Sequence, residues 1–242
     1  MLNKGEEIHD LPAPGYRLIQ DRAHFRYGTD AVLLADFCRR DKSAPAADLG
    51  AGTGALSILL LAGAKAARVD AVELQPRLCD MARRSAQLNG LSARMAVYEA
   101  DLRRLDGVLE AGTYGSVVCN PPYRAEGAGR ISPDPARRAA LFETECTLAD
   151  ALAAGLRLLR SRGRMYLCHR PARLCDLASC AREYGGELKR IRFVHPYADK
   201  PASLLLAEIC KDGKPGLLCE PPLVLYAEKG EQTAQLRRIY GW

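Results

Sequence analysis

The sequence predicts an α/β protein: an open, mostly parallel sheet of seven strands with helices on both faces. Three observations carry this. Short apolar runs alternate with helical periods from residue 45 to residue 209. A glycine-rich turn, Gly50-Ala51-Gly52-Thr53-Gly54, joins the first of those runs to an apolar helix. Polar groups suited to ligand binding close successive strands, at the edge where an open parallel sheet binds its ligands. The chain has 242 residues and is 48% hydrophobic, which suffices for a full core in one domain of this class. The expected division is an N-terminal extension with a first helix over 1–44 and a core over 45–242, forming a single domain.

Composition removes several classes. No apolar run is long enough to cross a bilayer, and residues 1–20 lack a signal-peptide pattern, so a cytoplasmic protein without membrane contact is expected. The nine cysteines are scattered, odd in number and never spaced Cys-x-x-Cys. They read as reduced core residues rather than disulfides or metal ligands. Cys175 and Cys180 near His169 form a local cluster, which reads as helix packing, so no metal is expected. The net charge of +6 leans mildly toward a polyanionic partner.

Taken in order, residues 1–15 read as a loose polar lead-in and Tyr16–Gln20 as a short strand. Tyr27-Gly28-Thr29-Asp30 then runs into the apolar helix Ala31–Phe37, with Thr29 or Asp30 as its N-cap. Residues 45–49 lead through the glycine turn into the helix Ala55–Leu61. The glycines permit close approach of a ligand to the backbone, as in nucleotide-binding turns. The next strand, Ala67–Leu74, carries Glu73 nineteen residues after Gly54, placed to accept both hydroxyls of a ribose. Gly50–Ala55 also satisfies the relaxed dinucleotide fingerprint, so an NAD-dependent oxidoreductase is a rival on this motif alone. Asp48, just before the turn, tilts the reading away from NAD, because an apolar residue is usual there in that class.

Pro76–Asn89 reads as a helix opened by proline and stopped at Gly90. Arg94–Ala100 is a third strand closed by Asp101. Asp101 can accept from an adenine amino group or cap a helix over Leu102–Leu105, while Arg103 and Arg104 read as a solvated face. Ser116–Cys119 is a fourth strand, and it ends in Asn120-Pro121-Pro122-Tyr123. Beyond it, 124–138 reads as a Gly/Pro/Arg-rich loop beside the site, with Arg124 and Arg130 among its cations. Glu143–Arg160 reads as a helix, Ser161-Arg162-Gly163 as a turn and Arg164–His169 as a fifth strand. Pro171–Tyr184 is a helix, Glu187–His195 a sixth strand and Ser203–Ile209 a seventh. His169 and His195 read as structural. Lys200, in the loop between the last two strands, suits phosphate. Leu223–Tyr226 reads as a short strand and Glu231–Tyr240 as a polar terminal helix.

The Asn-Pro-Pro-Tyr tetrad suits one task, presenting a planar amino group to an electrophile. The lone pair of such a nitrogen is delocalised. Two acceptors aimed at its N–H bonds favour a more tetrahedral nitrogen and localise that pair. The Asn120 side-chain oxygen supplies one acceptor and the Pro121 carbonyl the other. Pro121 and Pro122 fix their own φ and restrict the residue before each, so the carbonyl is aimed in advance. Tyr123 offers an aromatic face to a flat substrate. This is positioning and electrostatic preorganisation rather than strong-base catalysis.

Asp48–Gly54, Glu73, Asp101 and Asn120–Tyr123 together resemble the class I methyltransferases of the amino-methylating branch. More closely, the chain resembles the bacterial tRNA(Val) adenine-N6 methyltransferase family over nearly its whole length. The resemblance implies S-adenosyl-L-methionine as cofactor, S-adenosyl-L-homocysteine as product, and the adenine beside the anticodon of tRNA as target. It implies that Tyr27, Gly28, Thr29 and Asp30 line the methionine end, near Asp48. Gly50, Gly52 and Gly54 would back the amino acid and ribose, Glu73 and Leu74 would border the ribose, and Asp101 with Leu102 the adenine. It further implies that Asn120 and Pro121, held by Pro122, orient the amine, that Asn120 also borders the cofactor, that Tyr123 stacks on the base, and that Arg124, Arg130 and Lys200 contact RNA. No protein partner is implied. Arg138–Glu143 departs from the family's Arg-His-Glu run. A protein glutamine-N5 methyltransferase shares the tetrad's chemistry, but usually carries an N-terminal helical domain. A non-catalytic RNA-binding protein would leave the intact tetrad unexplained.

Overall fold

The computed structural model describes residues 2–21, 27–121 and 146–241. Its centre is a sheet of strands β3 (Ala46–Leu49), β4 (Val69–Glu73), β5 (Met95–Glu99), β6 (Tyr114–Cys119), β7 (Leu159–His169), β8 (Gly186–His195) and β9 (Leu204–Lys211). Their spatial order is β8-β9-β7-β6-β3-β4-β5. All neighbours pair in parallel except β9, which runs antiparallel to both β7 and β8. The seven expected strands are therefore present. Two short additions, β10 (Leu218–Cys219) and β11 (Leu223–Val224), lie parallel on the outer side of β8. The second was expected and the first was not.

Helices cover both faces. On one lie α1 (Thr29–Phe37) and α2 (Ala55–Ala62), whose buried residues cluster with Ala46, Val69, Ala71, Val118, Tyr166 and Cys168. On the other lie α4 (Leu148–Leu158) and α5 (Leu174–Glu183), packed against Ala47, Leu49, Val117 and Leu167. The alternation along β3, β6 and β7 is the period of two that a strand imposes. Helix α3 (Pro76–Leu88) packs beside β4 and β5, opening on Pro76 as expected. A short terminal helix, α6 (Ala234–Ile239), buries Leu236 in the α1 side.

Three expectations are corrected. Residues 1–15 are not a loose lead-in, because β1 (Glu6–Asp10) pairs antiparallel with β2 (Arg17–Asp21). The hairpin is held on α3 by Ile19 packed with Leu78 and Met81 and by polar contacts, which hydropathy does not register. Arg84 donates to both carboxylate oxygens of Glu6, at 2.7 and 2.6 Å, and Arg77 pairs with Asp21. The Ile19 N–H donates to Ser85 Oγ at 3.0 Å, and Asn89 bonds both backbone groups of Arg17. Ser161-Arg162-Gly163 is not a turn between elements. β7 already begins at Leu159, bulges out between the positions paired with Tyr114 and Ser116, and returns, with Arg162 at φ 64°. No helix forms over Leu102–Leu105, which is a turn.

The Glu6 side chain is 1% exposed, and its pKa is held at about 2, chiefly by the bond from Arg84. Its contribution is present above the ordinary carboxylate range and is lost as pH falls toward 2. Arg84→Ala strands a buried carboxylate. We expect a loss of about 3 kcal/mol, read from urea denaturation, and a smaller loss when Glu6 is replaced together with Arg84.

Candidate active site

The parallel register brings four strand ends to one edge. Leu49 lies level with Val72 of β4 and with Cys119 of β6, and Glu73 lies level with Glu99 of β5. Gly50, Glu73 and Asn120 therefore stand at one height, with Asp101 just beyond β5. Strand alternation also puts Asp48, Glu73 and Asn120 on the α1 face, in phase with Ala46, Ala71 and Val118.

The turn after β3 is built by positive φ. Gly50, Gly52 and Gly54 have φ of 75°, 57° and 86°, a region costly to residues with a Cβ. At Gly50 and Gly52 an added Cβ meets no atom of the described residues within 4 Å, so none of them covers the backbone there. Gly54 differs: a Cβ would lie 2.7 Å from Met95 and 3.3 Å from Ala82, so this glycine also serves close packing. The Gly50 and Ala51 N–H groups donate to the Val72 carbonyl, at 2.9 and 3.0 Å, tying the turn to β4.

Glu73 is 7% exposed and braces the same turn. Its Oε2 accepts from the Gly52 N–H and its Oε1 from the Gln75 N–H, both at 2.9 Å. Burial raises its pKa, against the pull of those N–H groups. The Leu74 N–H pulls the same way, and the carboxylate has more acceptor sites than these three donors fill. Leu74 beside it is 47% exposed, an apolar surface left open at the sheet edge.

Asp48 is 1% exposed. Its Oδ2 accepts from Ser57 Oγ at 2.6 Å, while its buried Oδ1 has no hydrogen-bond partner among the described residues. Burial pushes its pKa up to about 7, with Glu73 adding repulsion and Ser57 opposing. The folded protein thus holds a proton that the unfolded chain has already released. That contribution stabilises below the ordinary carboxylate range and is lost as pH rises to about 7. Wild type is expected to lose stability relative to Asp48→Asn over that interval, by at most about 4 kcal/mol, as read from thermal unfolding at a series of pH values.

The turn before α1 is capped by Gly28 rather than by the Thr29 or Asp30 side chain. The Thr29 hydroxyl instead meets Tyr240 Oη at 3.3 Å, so the chain's C-terminal segment reaches this turn. Tyr27 is half-buried, and burial, followed by Tyr240, raises its pKa. Arg190 donates to the Phe37 carbonyl at 2.6 Å and to Glu208 at 2.8 Å, anchoring the other end of α1.

Asp101 is engaged by its neighbour. Arg103 Nε lies 3.0 Å from both carboxylate oxygens, and the Arg103 N–H donates to Oδ1 at 2.9 Å. Arg103 was expected to be only a solvated cation, and it is an ion-pair partner. Leu102 is half-buried beside it. Lys200 is 58% exposed, pairs with Asp199 at 3.3 Å, and sits in a loop tied to His195 Nδ1 through its carbonyl.

Asn120 follows β6 directly, and its Oδ1 lies 2.8 Å from the Cys168 Sγ of β7. Cys168 and Tyr240 were missed as site neighbours, because only the fold brings them to this edge. Pro121 is described, whereas Pro122, Tyr123, Arg124 and Arg130 lie outside the described residues. Among the described residues no cluster of three or more His, Cys, Asp or Glu is arranged to hold a metal. No helix there is long and apolar enough to cross a membrane.

A mostly parallel sheet with one inserted antiparallel strand, a glycine turn after its central strand and an acid ending the next define a class I methyltransferase. Solved structures share the fold. A predicted O-methyltransferase, protein Atu636 from Agrobacterium tumefaciens, superposes with a TM-score of 0.70 at 24% identity, covering 88% of this chain and 95% of that one. P. horikoshii TYW2 in complex with MeSAdo gives 0.62 at 15%, covering 87% and 73%. The methyltransferase small domain family matches residues 23–134. Two curated tRNA1(Val) (adenine(37)-N6)-methyltransferases align further. That of Aeromonas hydrophila is 31% identical over 68% of this chain and 67% of its own length, and that of Porphyromonas gingivalis strain W83 is 29% identical over 76% and 73%. The chain belongs to the tRNA1(Val) (adenine(37)-N6)-methyltransferase family.

Proposed function

We propose that the protein transfers a methyl group from S-adenosyl-L-methionine to the N6 amine of the adenine at position 37 of tRNA(Val), the activity its curated relatives carry in their names. The observation that carries this reading is the alignment of Gly50, Glu73 and Asn120 at one height on one sheet face. A cofactor cradle and an amine-orienting carboxamide are thereby neighbours.

The residues present fit the cofactor. The space that the described residues leave over Gly50 and Gly52 admits its amino-acid and ribose part, and Asp48 Oδ1, without a partner among those residues, suits a nearby ammonium group, whose charge would draw the carboxyl into its ionised form. Glu73 has lone pairs left for two ribose hydroxyls, and Leu74 and Leu102 offer apolar flanks for a purine. Tyr27–Asp30 and Gly54 complete the surround, with Asp101 and its Arg103 partner at the adenine side. Bound there, S-adenosyl-L-methionine supplies an electrophilic methyl on a sulfonium.

The chain's own part is positioning. Asn120 Oδ1 accepts one N–H of the target amine, and the Pro121 carbonyl accepts the other. The nitrogen lone pair then points along the transfer axis, and the surplus proton leaves to solvent after transfer. Tyr123 would stack on the base, with Pro122 fixing the tetrad. Arg124, Arg130 and Lys200 would neutralise phosphates. A base in an anticodon loop is already partly unpaired, so presenting it costs less than flipping one from a duplex.

The test is methyl transfer from labelled S-adenosyl-L-methionine to bulk tRNA lacking modifications, followed by nucleoside analysis. Label in N6-methyladenosine is expected. Label in another nucleoside, or in protein glutamine and not in RNA, would replace this reading.

A further inference from the structure

Cys168 is placed where the proposed chemistry needs a support. Leu167 of β7 lies level with Cys119 of β6, so Cys168 and Asn120 are neighbours across the two strands. The Cys168 side chain is fully buried, in one apolar cluster with Val118 and Tyr166. Its Sγ lies 2.8 Å from Asn120 Oδ1. Burial drives the thiol's pKa well above its ordinary range, and the charge of Asp30 on α1 pushes it the same way. The sulfur therefore keeps its proton at neutral pH and acts as a donor.

A carboxamide has an acceptor end and a donor end of nearly equal size. Only the acceptor end can serve a target amine, since an NH2 group turned toward another NH2 sets donor against donor. Some contact must therefore hold the Asn120 oxygen in place. A thiol donor does so, because it meets Oδ1 favourably and meets Nδ2 only as a weak acceptor. Oδ1 keeps its second lone pair for the substrate.

We propose that Cys168 is a positioning residue for methyl transfer: its S–H donates to Asn120 Oδ1 and fixes which end of the carboxamide faces the target amine. The proposal rests on the role given to Asn120 above, and its consequences separate from that role.

The test compares Cys168→Ala and Cys168→Ser in single-turnover transfer at saturating cofactor and RNA. Cofactor affinity is measured by calorimetry, and thermal unfolding is recorded for each variant. Cys168→Ala is expected to slow the chemical step roughly 5- to 10-fold, as loss of one hydrogen bond implies, with cofactor affinity unchanged. Cys168→Ser restores a donor and is expected to recover most of the rate. In an Asn120→Ala background, Cys168→Ala is expected to cost nothing further. A wild-type rate in Cys168→Ala would overturn the proposal. So would equal slowing in Ala and Ser accompanied by equal loss of thermal stability, which would mark a packing role.

A second readout does not depend on turnover. The infrared difference between wild type and Cys168→Ala isolates the Cys168 S–H stretch, which is expected at lower wavenumber than in Asn120→Ala. An unchanged band would refute the bond even in an active enzyme. A shifted band with no transfer to RNA would uphold the bond and reject the RNA reading alone.

Discussion

Replacing Asn120 by alanine is expected to slow methyl transfer about 10²- to 10³-fold and to leave cofactor affinity nearly unchanged. The asymmetry follows from where the carboxamide stands. Asn120 caps β6 at the height of Gly50 and Glu73, but the bonds that brace the glycine turn come from Val72 and Glu73. Removing the side chain leaves that cradle intact. What is lost, on the proposed role of Asn120, is the acceptor that orients the amine, an interaction that would matter most as the nitrogen becomes tetrahedral. Single-turnover rates and calorimetric cofactor binding separate the two effects. Parallel loss of both would show that Asn120 serves the cofactor instead.

The second large effect is expected at Glu73. Glu73→Ala should weaken cofactor binding roughly 100-fold, the loss of two charge-assisted hydrogen bonds. The same change frees the Gly52 and Gln75 N–H groups, so part of the loss comes from a looser turn. Glu73→Gln separates the contributions, since it preserves volume and one acceptor while setting an NH2 group against an N–H. With saturating cofactor, the transfer rate of Glu73→Ala should approach that of wild type. A fallen rate at saturation, with affinity retained, would place Glu73 in the chemical step.

The strand ends were legible in the sequence for a physical reason. In a parallel sheet, ligand-binding groups gather at element boundaries, and Asp48, Glu73, Asp101 and Asn120 each follow or close an apolar run. The glycine turn was legible because its conformation excludes other residues. Contacts that depend on tertiary packing were not. Glu6–Asp10 shows no apolar alternation, and its strand is held by Arg84 and its partner strand. The bulge at Arg160–Gly163 carries the residues of a turn, yet the ladder resumes beyond it. Cys168 reads as a generic core cysteine until β7 is known to lie beside β6, and Tyr240 is 211 residues from the hydroxyl it meets. The ion pair between Asp101 and Arg103 is local, but two arginines after an acid look the same whether paired or solvated.

If the proposed function holds, the Asn120 edge methylates one adenine amine in tRNA. The most direct measurement uses two unmodified tRNA(Val) transcripts, identical except that position 37 is adenine in one and guanine in the other. Each is incubated with enzyme and labelled S-adenosyl-L-methionine, then digested to nucleosides. Label is expected in N6-methyladenosine from the adenine transcript and none from the guanine transcript. Equal label in both, or label in neither while the enzyme binds cofactor, would contradict it.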